Sequence, residues 1–447
     1  MTSQLRDKIA HFTSLFVWTT IFLLSDLQPV YAQLHAFKHL NVKDGLSQSS
    51  VLDIARDAQG LMWFATRYGL NRYDGVRFKI YENQPNDSTS ICNNYINQIY
   101  SDSKKQLWIG TQGGLDLYNC ENDGFEHFYF YENERKIHGI SVLKIREDQK
   151  GNIWIGTNRG LYLLAKGTKR CIKLPSTPQA LRLDIIHELF VDGQNHLWGT
   201  SPNGILQLKY DNEKLSIIPT PSVIDDITGH VRTIVEDNQD NLWFGSETSG
   251  LYCVTLTTNN MRHFKSDGKQ GLLHSSIREL LLNEDNRLIV ATQDGVSMLD
   301  LKTLNFTNYQ NNPEDPTSLS QNSIYALYED DQQSLWVGTY FGGVNLAYGV
   351  DTKFKRLHVN SSVKIPHNVI RPIAEDSKRN LWFGTEGGGV FFADADFKNI
   401  KGFYNRDPGL LQSRSNFVKS ILIDRADSIW VGTSGGGVYH LNPGTGK

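Results

Sequence analysis

The chain alternates short apolar runs with turn-forming residues every 8 to 12 positions, the pattern of short strands rather than helices. One run, Leu107-Trp108-Ile109-Gly110-Thr111, has relatives centred on Trp63, Trp154, Trp198, Trp243, Trp336, Trp382 and Trp430. A ninth copy, Leu288-Ile289-Val290-Ala291-Thr292, has lost its tryptophan. Successive anchors lie 44 to 48 residues apart, and eight of the nine tryptophans of the chain occupy this one position, Trp18 being the other.

The flanks repeat as well. Six residues before the anchor stands Asp57, Asp102, Asp148, Asp192, Asp237, Asn283, Asp330, Asp376 or Asp424, and six or seven after it a Gly followed by Leu, Ile or Val, as in Gly69-Leu70 and Gly437-Val438. Four strands per repeat, a to d, fit this spacing. The acidic residue opens the a–b hairpin, where its carboxylate can hold backbone N–H groups in an Asx-turn. On strand b, Trp108 and Gly110 share one side and Leu107 and Ile109 the other. A strand apolar on both faces suits sheets stacked face to face, with the indole filling the space left by the Gly of a neighbouring blade. Four-stranded sheets repeated every 40 to 50 residues predict an all-β chain, a β-propeller of nine blades, since about 45 residues cannot support one core apiece.

Closure can be arranged in two ways. Phe37-Lys38-His39-Leu40 has the look of a d strand without its own blade, and the chain ends soon after the c strand Gly437-Val438-Tyr439-His440-Leu441. In a seven-bladed ring the first of these completes the blade anchored at Trp336, and Phe354 to Leu357 opens a second, truncated propeller. In one nine-bladed ring it completes the blade anchored at Trp430.

Composition narrows the function. Lys and Arg number 45 against 48 Asp and Glu, a net charge of −3 that argues against an electrostatic nucleic-acid binder. A mean hydropathy of −0.40 excludes a polytopic membrane protein. Arg6 and Lys8 precede an apolar run from Phe12 to Leu24, and Val30-Tyr31-Ala32-Gln33 follows, so residues 1–32 read as a secretory signal peptide cut after Ala32. An uncleaved signal anchor is the alternative reading. Cys92, Cys120, Cys171 and Cys253 form no CxxC pair and no metal spacing with histidine. They read as isolated residues, a Cys120–Cys171 disulfide being the alternative. No metal and no cofactor is expected.

Asp44-Gly45-Leu46-Ser47, the Leu-Trp-x-Gly-Thr anchors with their preceding Asp, and the loop Asn312-Pro313-Glu314-Asp315-Pro316-Thr317-Ser318-Leu319 together resemble two-component regulator propeller repeats. The resemblance covers about residues 37 to 443. It implies the periplasmic sensor part of a hybrid histidine kinase anchored in the inner membrane. In such proteins two seven-bladed propellers precede a β-sandwich, a membrane helix, a kinase and often a DNA-binding regulator. Residues 33–350 would then form one seven-bladed propeller and 351–447 the first two blades of a second, the chain being an N-terminal fragment. The resemblance also implies a homodimer in the full-length parent and a carbohydrate or other small extracellular signal. Neither a kinase domain nor a membrane helix occurs in this sequence, so no enzyme activity is expected of it. The final Gly444-Thr445-Gly446-Lys447 only mimics a phosphate loop, Leu441 standing where that motif needs Gly.

A ligand would meet the d–a and b–c loops, which antiparallel strands gather on one rim. The variable residues there are Arg67, Tyr68, Arg159, Glu247, Asp294, Tyr340, Phe341 and Glu386. Aromatic faces beside charged groups suit a sugar. His138, His230, His274 and His367 fall 13 to 16 residues before their anchors, near the same rim. They either cap loops, as Asn94, Asn322 and Asn416 do at similar offsets, or serve a secreted lyase as acid and base. A ligand-free interaction scaffold is the third reading.

Overall fold

A computed structural model describes residues 36–174, 184–202, 204–211, 214–266, 271–349, 367, 369–394, 400–403 and 416–441. The signal segment at residues 1–32 and the strand expected from Phe354 to Leu357 lie outside these residues.

The anchor run forms the second strand of every blade because both of its faces are apolar and both of its edges find partners. Leu107–Thr111 pairs antiparallel with Ile96–Ser101 on one side and Leu115–Asn119 on the other, and all five of its residues are buried. Nine such units follow one another, at residues 51–81, 96–132, 142–173, 188–218, 231–264, 277–309, 324–347, 370–403 and 418–441, referred to below as blades 1 to 9. Blade 7 supplies only three strands of its own. Its fourth is Phe37–Leu40, which pairs antiparallel with Val344–Ala347 and so joins the blade anchored at Trp336.

Innermost strands touch in succession from blade 1 to blade 7, and Ile324–Glu329 of blade 7 packs against Val51–Arg56 of blade 1. Seven sheets thus meet in a closed cycle. Blades 8 and 9 pack on each other through Ile370–Glu375 and Val418–Ile423.

The blade-to-blade contact corrects one expectation. A Cβ on Gly110 would lie 2.7 Å from Val142, on Gly156 2.8 Å from Ile186, on Gly245 2.6 Å from Ile277, and on Gly338 2.8 Å from Val51. The β-branched residue that leads into or begins the next blade's innermost strand therefore fills the space beside the glycine. The indole lies one pleat further along, among buried residues such as Ile145 and Ile153 in the case of Trp108. Because Gly338 meets Val51 as Gly110 meets Val142, the seam between blades 7 and 1 repeats the other seams. Gly432 of blade 9 differs: its neighbours are atoms of Ser420 in its own blade, and Trp430 is 41% exposed.

Two further features depart from a plain set of four-stranded blades. Gly124–Glu132 of blade 2 is nine residues long, and its far end pairs in parallel with Arg170–Lys173 of blade 3, joining the two sheets at their outer edges. All four cysteines are free, Cys120 exposed and Cys171 buried in blade 3, so the alternative disulfide does not form.

Candidate ligand-binding rim

The end of the ring opposite the rim is held by the repeated acidic residue. In blade 5, Asp237 Oδ1 accepts the backbone N–H groups of Gln239 and Asn241, at 2.9 and 3.0 Å, while Oδ2 accepts the indole N–H of Trp243 at 2.8 Å. The same indole bond joins Asp57 to Trp63, Asp102 to Trp108, Asp148 to Trp154, Asp192 to Trp198, Asp330 to Trp336, Asp376 to Trp382 and Asp424 to Trp430. Blade 6, without tryptophan, carries Asn283, whose Oδ1 still accepts the N–H of Arg287 at 2.9 Å. These carboxylates are saturated by their own hairpins.

At the opposite end several b–c turns bond to the d–a loop of the same blade: Asn158 N–H to Ser141 O, Glu247 to His230, Gln293 to Ser276, and Tyr340 to Ser323. Rigid loops therefore crowd one rim. The expected rim residues are divided there into separate groups. Asp294 is committed to structure, accepting from Asn322 Nδ2 and Gln310 Nε2 at 3.0 Å each. Glu386 belongs to blade 8, where it pairs with Arg371 and lies 3.6 Å from Lys419 of blade 9. Arg159 stands near Glu132, whose carboxyl is held below its usual range first by the Tyr162 hydroxyl and then by Lys173 and Arg159.

Arg67, Tyr340 and Phe341 do come together. The Arg67 guanidinium lies over the Tyr340 ring, 4.4 Å from its centroid, and Phe341 meets Tyr340 edge-on at 4.1 Å. Tyr340 is stacked on Tyr325 at 5.2 Å, and Arg278 covers Tyr325 at 4.0 Å. Ser50 Oγ donates to the Tyr340 carbonyl from the loop before blade 1, which fixes this turn. Phe341 and Tyr68, the residue after Arg67, are 65% and 54% exposed.

The polar arc continues into blade 5. Glu247 takes two bonds from Arg232, at 2.9 and 3.2 Å, and stands 3.3 Å from His230 Nδ1. Hydrogen bonding from Arg232 holds its carboxyl below the usual range. His230 meets the ring of His187 edge-on at 4.2 Å. Burial, reinforced by His230 and Arg232, pulls His187 down to about 4, so it is neutral at neutral pH. Both histidines border a cavity of about 800 Å³ walled by Ile205, Ile217, Ile224 and Ile227. Tyr325, Arg278 and Arg232 are each the second residue of an innermost strand.

The other rim histidines are not part of this arc. His274 Nδ1 accepts Ser276 N–H at 2.9 Å and His367 Nδ1 accepts Val369 N–H at 3.1 Å, so both cap their loops, as Asn94 and Asn322 do. His138 is exposed.

Cys92, Asp116 and His127 bring their ligand atoms within 4.8 Å of one another. The arrangement is nevertheless a repeat feature. Asp116 accepts the N–H of Cys92 at 2.8 Å, as Asn71 accepts that of Ser47 and Asn345 that of Ser320. Burial, with Asp116 beside it, pushes the Cys92 thiol well above its ordinary value.

Inside the ring a belt of side chains joins adjacent innermost strands where each bulges after its first residue. Asp53 accepts Ile99 N–H at 2.9 Å, Gln98 accepts Ile145 N–H at 2.5 Å, Thr233 accepts Leu280 N–H at 3.2 Å and Glu279 accepts Leu327 N–H at 2.8 Å. Burial, with Asp53 next in weight, pushes Glu279 up to about 8, while Lys144 opposes the shift. Lys144 and Arg146 pair with Glu188 at 3.0 and 3.2 Å.

Comparison with known proteins places this geometry. The two component regulator propeller model matches residues 45–68, 90–113, 137–159, 226–248, 318–341, 364–387 and 412–435. A histidine kinase, P4, of Formosa agariphila is 60% identical over 55 residues, 12% of this chain and 4% of the kinase. The extracellular domain of a putative hybrid two component system of B. thetaiotaomicron is 27% identical with a TM-score of 0.67, over 92% of this chain and 53% of that domain. The chain thus spans about half the length of that domain. Virginiamycin B lyase from Staphylococcus aureus, at 13% identity and a TM-score of 0.51 over 69% of this chain and 98% of the lyase, shares the propeller fold alone.

Proposed function

Since seven segments between residues 45 and 435 match two component regulator propeller repeats, we propose that the chain is the periplasmic ligand-sensing part of a two-component signal-transduction protein, recognising a carbohydrate or another small extracellular signal. The observation that carries this reading is the rim itself. Arg67, Tyr340, Phe341 and Tyr325 form a connected charged and aromatic surface at one rim, with the exposed Phe341 ring for a sugar and the Arg67 guanidinium for its polar substituents.

In this reading residues 1–32 direct export, residues 33–350 form a seven-bladed sensor ring, and residues 351–447 begin a second ring. The rim reports on its ligand through rearrangement of a homodimer of the parent protein, and the chain itself is not catalytic. A lyase reading has less support: His274 is used as a loop cap, and the likeness to lyases extends to fold only.

A thermal-shift screen of the purified chain against neutral and acidic oligosaccharides tests the proposal. Binding stabilises by RT ln(1+[L]/Kd), about 2.7 kcal/mol at a ligand concentration a hundred times Kd. A concentration-dependent rise in melting temperature is expected for at least one glycan class, and silence across the panel overturns the reading.

A further inference from the structure

We infer that the rim of blades 6, 7 and 1 binds an acidic oligosaccharide, with carboxylate or sulfate groups held by Arg67 and Arg278 and pyranose faces resting on Tyr68 and Phe341. The inference rests on the sensor reading above and adds the charge of the ligand and the residues that meet it.

The argument starts from ion pairing. Arg72, Arg146 and Arg232 each have a carboxylate within 3.2 Å, from Asp123, Glu188 and Glu247 respectively. Among the described residues Arg67 and Arg278 have no such partner. Arg67 lies over the Tyr340 ring and its Nε is buried without a hydrogen-bond acceptor. Arg278 lies on Tyr325 and spends one N–H on the neutral hydroxyl of Ser323, at 2.7 Å. Stacking on a ring uses the face of a guanidinium and orients it, leaving the in-plane N–H donors for another group. The nearest acid on this arc, Glu247, is already held by Arg232 and His230. Burial, and Arg232 after it, pull the Arg278 guanidinium below its ordinary value, and a bound anion would relieve this.

In a chain whose overall charge is −3, two arginines without an ion-pair partner on one rim are a local departure that an anion would complete. They stand at the two ends of the contact chain Arg67–Tyr340–Tyr325–Arg278, so the complementary ligand carries more than one negative group along its length. Flanking the turn, Tyr68 and Phe341 are more than half exposed and offer the apolar faces that sugar rings use. These features favour an acidic oligosaccharide over a lone inorganic ion.

Isothermal titration of the full chain tests this with four probes: a glucuronate-containing disaccharide, a sulfated disaccharide, a neutral disaccharide of matching linkage and sodium sulfate. At least one acidic disaccharide is expected to bind tenfold or more tightly than the neutral one, with affinity falling as salt is raised. Whichever acidic probe binds more tightly identifies the anion as carboxylate or sulfate. Arg67→Gln and Arg278→Gln should each weaken binding about tenfold, and Arg67→Lys should recover part of the loss. If an arginine variant does not fold, Phe341→Ala and Tyr68→Ala on the exposed rim are expected to lower affinity several-fold. Equal binding of neutral and acidic disaccharides, or indifference to Arg67→Gln, Arg278→Gln, Phe341→Ala and Tyr68→Ala alike, overturns the inference while the sensor reading stands. Sodium sulfate binding as tightly as the sulfated disaccharide overturns the sugar contacts. Failure of all three disaccharides removes this inference, whereas the sensor reading is decided by the separate thermal-shift screen.

Discussion

Asp237 Oδ2 accepts the indole N–H of Trp243 at 2.8 Å across the a–b hairpin of blade 5, and its other oxygen closes the turn. One carboxylate thus ties a turn to the large side chain that packs its blade against the next. Asp237→Ala leaves a buried indole donor and two turn N–H groups without their acceptor and should cost about 2–3 kcal/mol. Asp237→Asn should cost less, because one oxygen remains for the turn while the indole loses its charged partner. Urea unfolding of the two variants checks the order. Asn283, standing where the tryptophan is missing, is the natural counterpart of the second variant.

The seam between blades 7 and 1 is expected to be as sensitive to volume as any other. Gly338→Ala places a methyl 2.8 Å from Val51 and should destabilise by about 1–3 kcal/mol. Val51→Ala alone opens a small void, and the double variant should recover part of the combined loss. A double-mutant cycle measured by denaturation reads the coupling. Simple additivity would mean that the two residues do not meet.

Stability should fall as the pH rises from about 4.5 towards 8 because of Glu279. Its folded pKa lies above its ordinary value, so over that window the folded chain holds a proton that the unfolded chain has released. Glu279→Gln keeps an oxygen for Leu327 N–H and should flatten the melting profile on the alkaline side. An unchanged profile would show that Glu279 does not titrate in this range.

His187 has the opposite sign. Its folded pKa is held near 4, below its ordinary 6.5, so stability should be lost as the pH falls through that interval. Titration of the imidazole by nuclear magnetic resonance should give a midpoint near 4, and His187→Gln should remove this acid-side sensitivity.

Thiol reactivity should divide the cysteines. Cys120 is exposed and should react with Ellman's reagent within minutes in the native chain. Cys171 and Cys253 are buried, and burial pushes Cys253 up to about 12, so both should wait for unfolding.

Much of the architecture can be read from the spacing of Trp, Asp and Gly, because a propeller repeats one solution to one packing problem. The indole bond could also have been found there: the interval from Asp to Trp never varies, and the acid becomes Asn283 where Ile289 replaces tryptophan. Reading the acid only as a turn former missed this second use of the carboxylate. The rim was harder. Tyr68, Arg67, Tyr340 and Phe341 follow the anchors and were visible as variable turn residues, but Arg278 and Tyr325 sit inside apolar runs. Only the bulge in the innermost strands and the closed ring bring them to Tyr340. His187 belongs to no repeated offset, and only three-dimensional proximity pairs it with His230.

The pairing of Phe37–Leu40 with Val344–Ala347 sets an order of events during biosynthesis. The segment made first cannot take its place until the seventh blade has been translated, so the earlier blades must wait with an unmatched sheet face and the opening strand unattached. A released chain truncated before residue 344 should therefore be far more sensitive to protease than one ending just beyond residue 347.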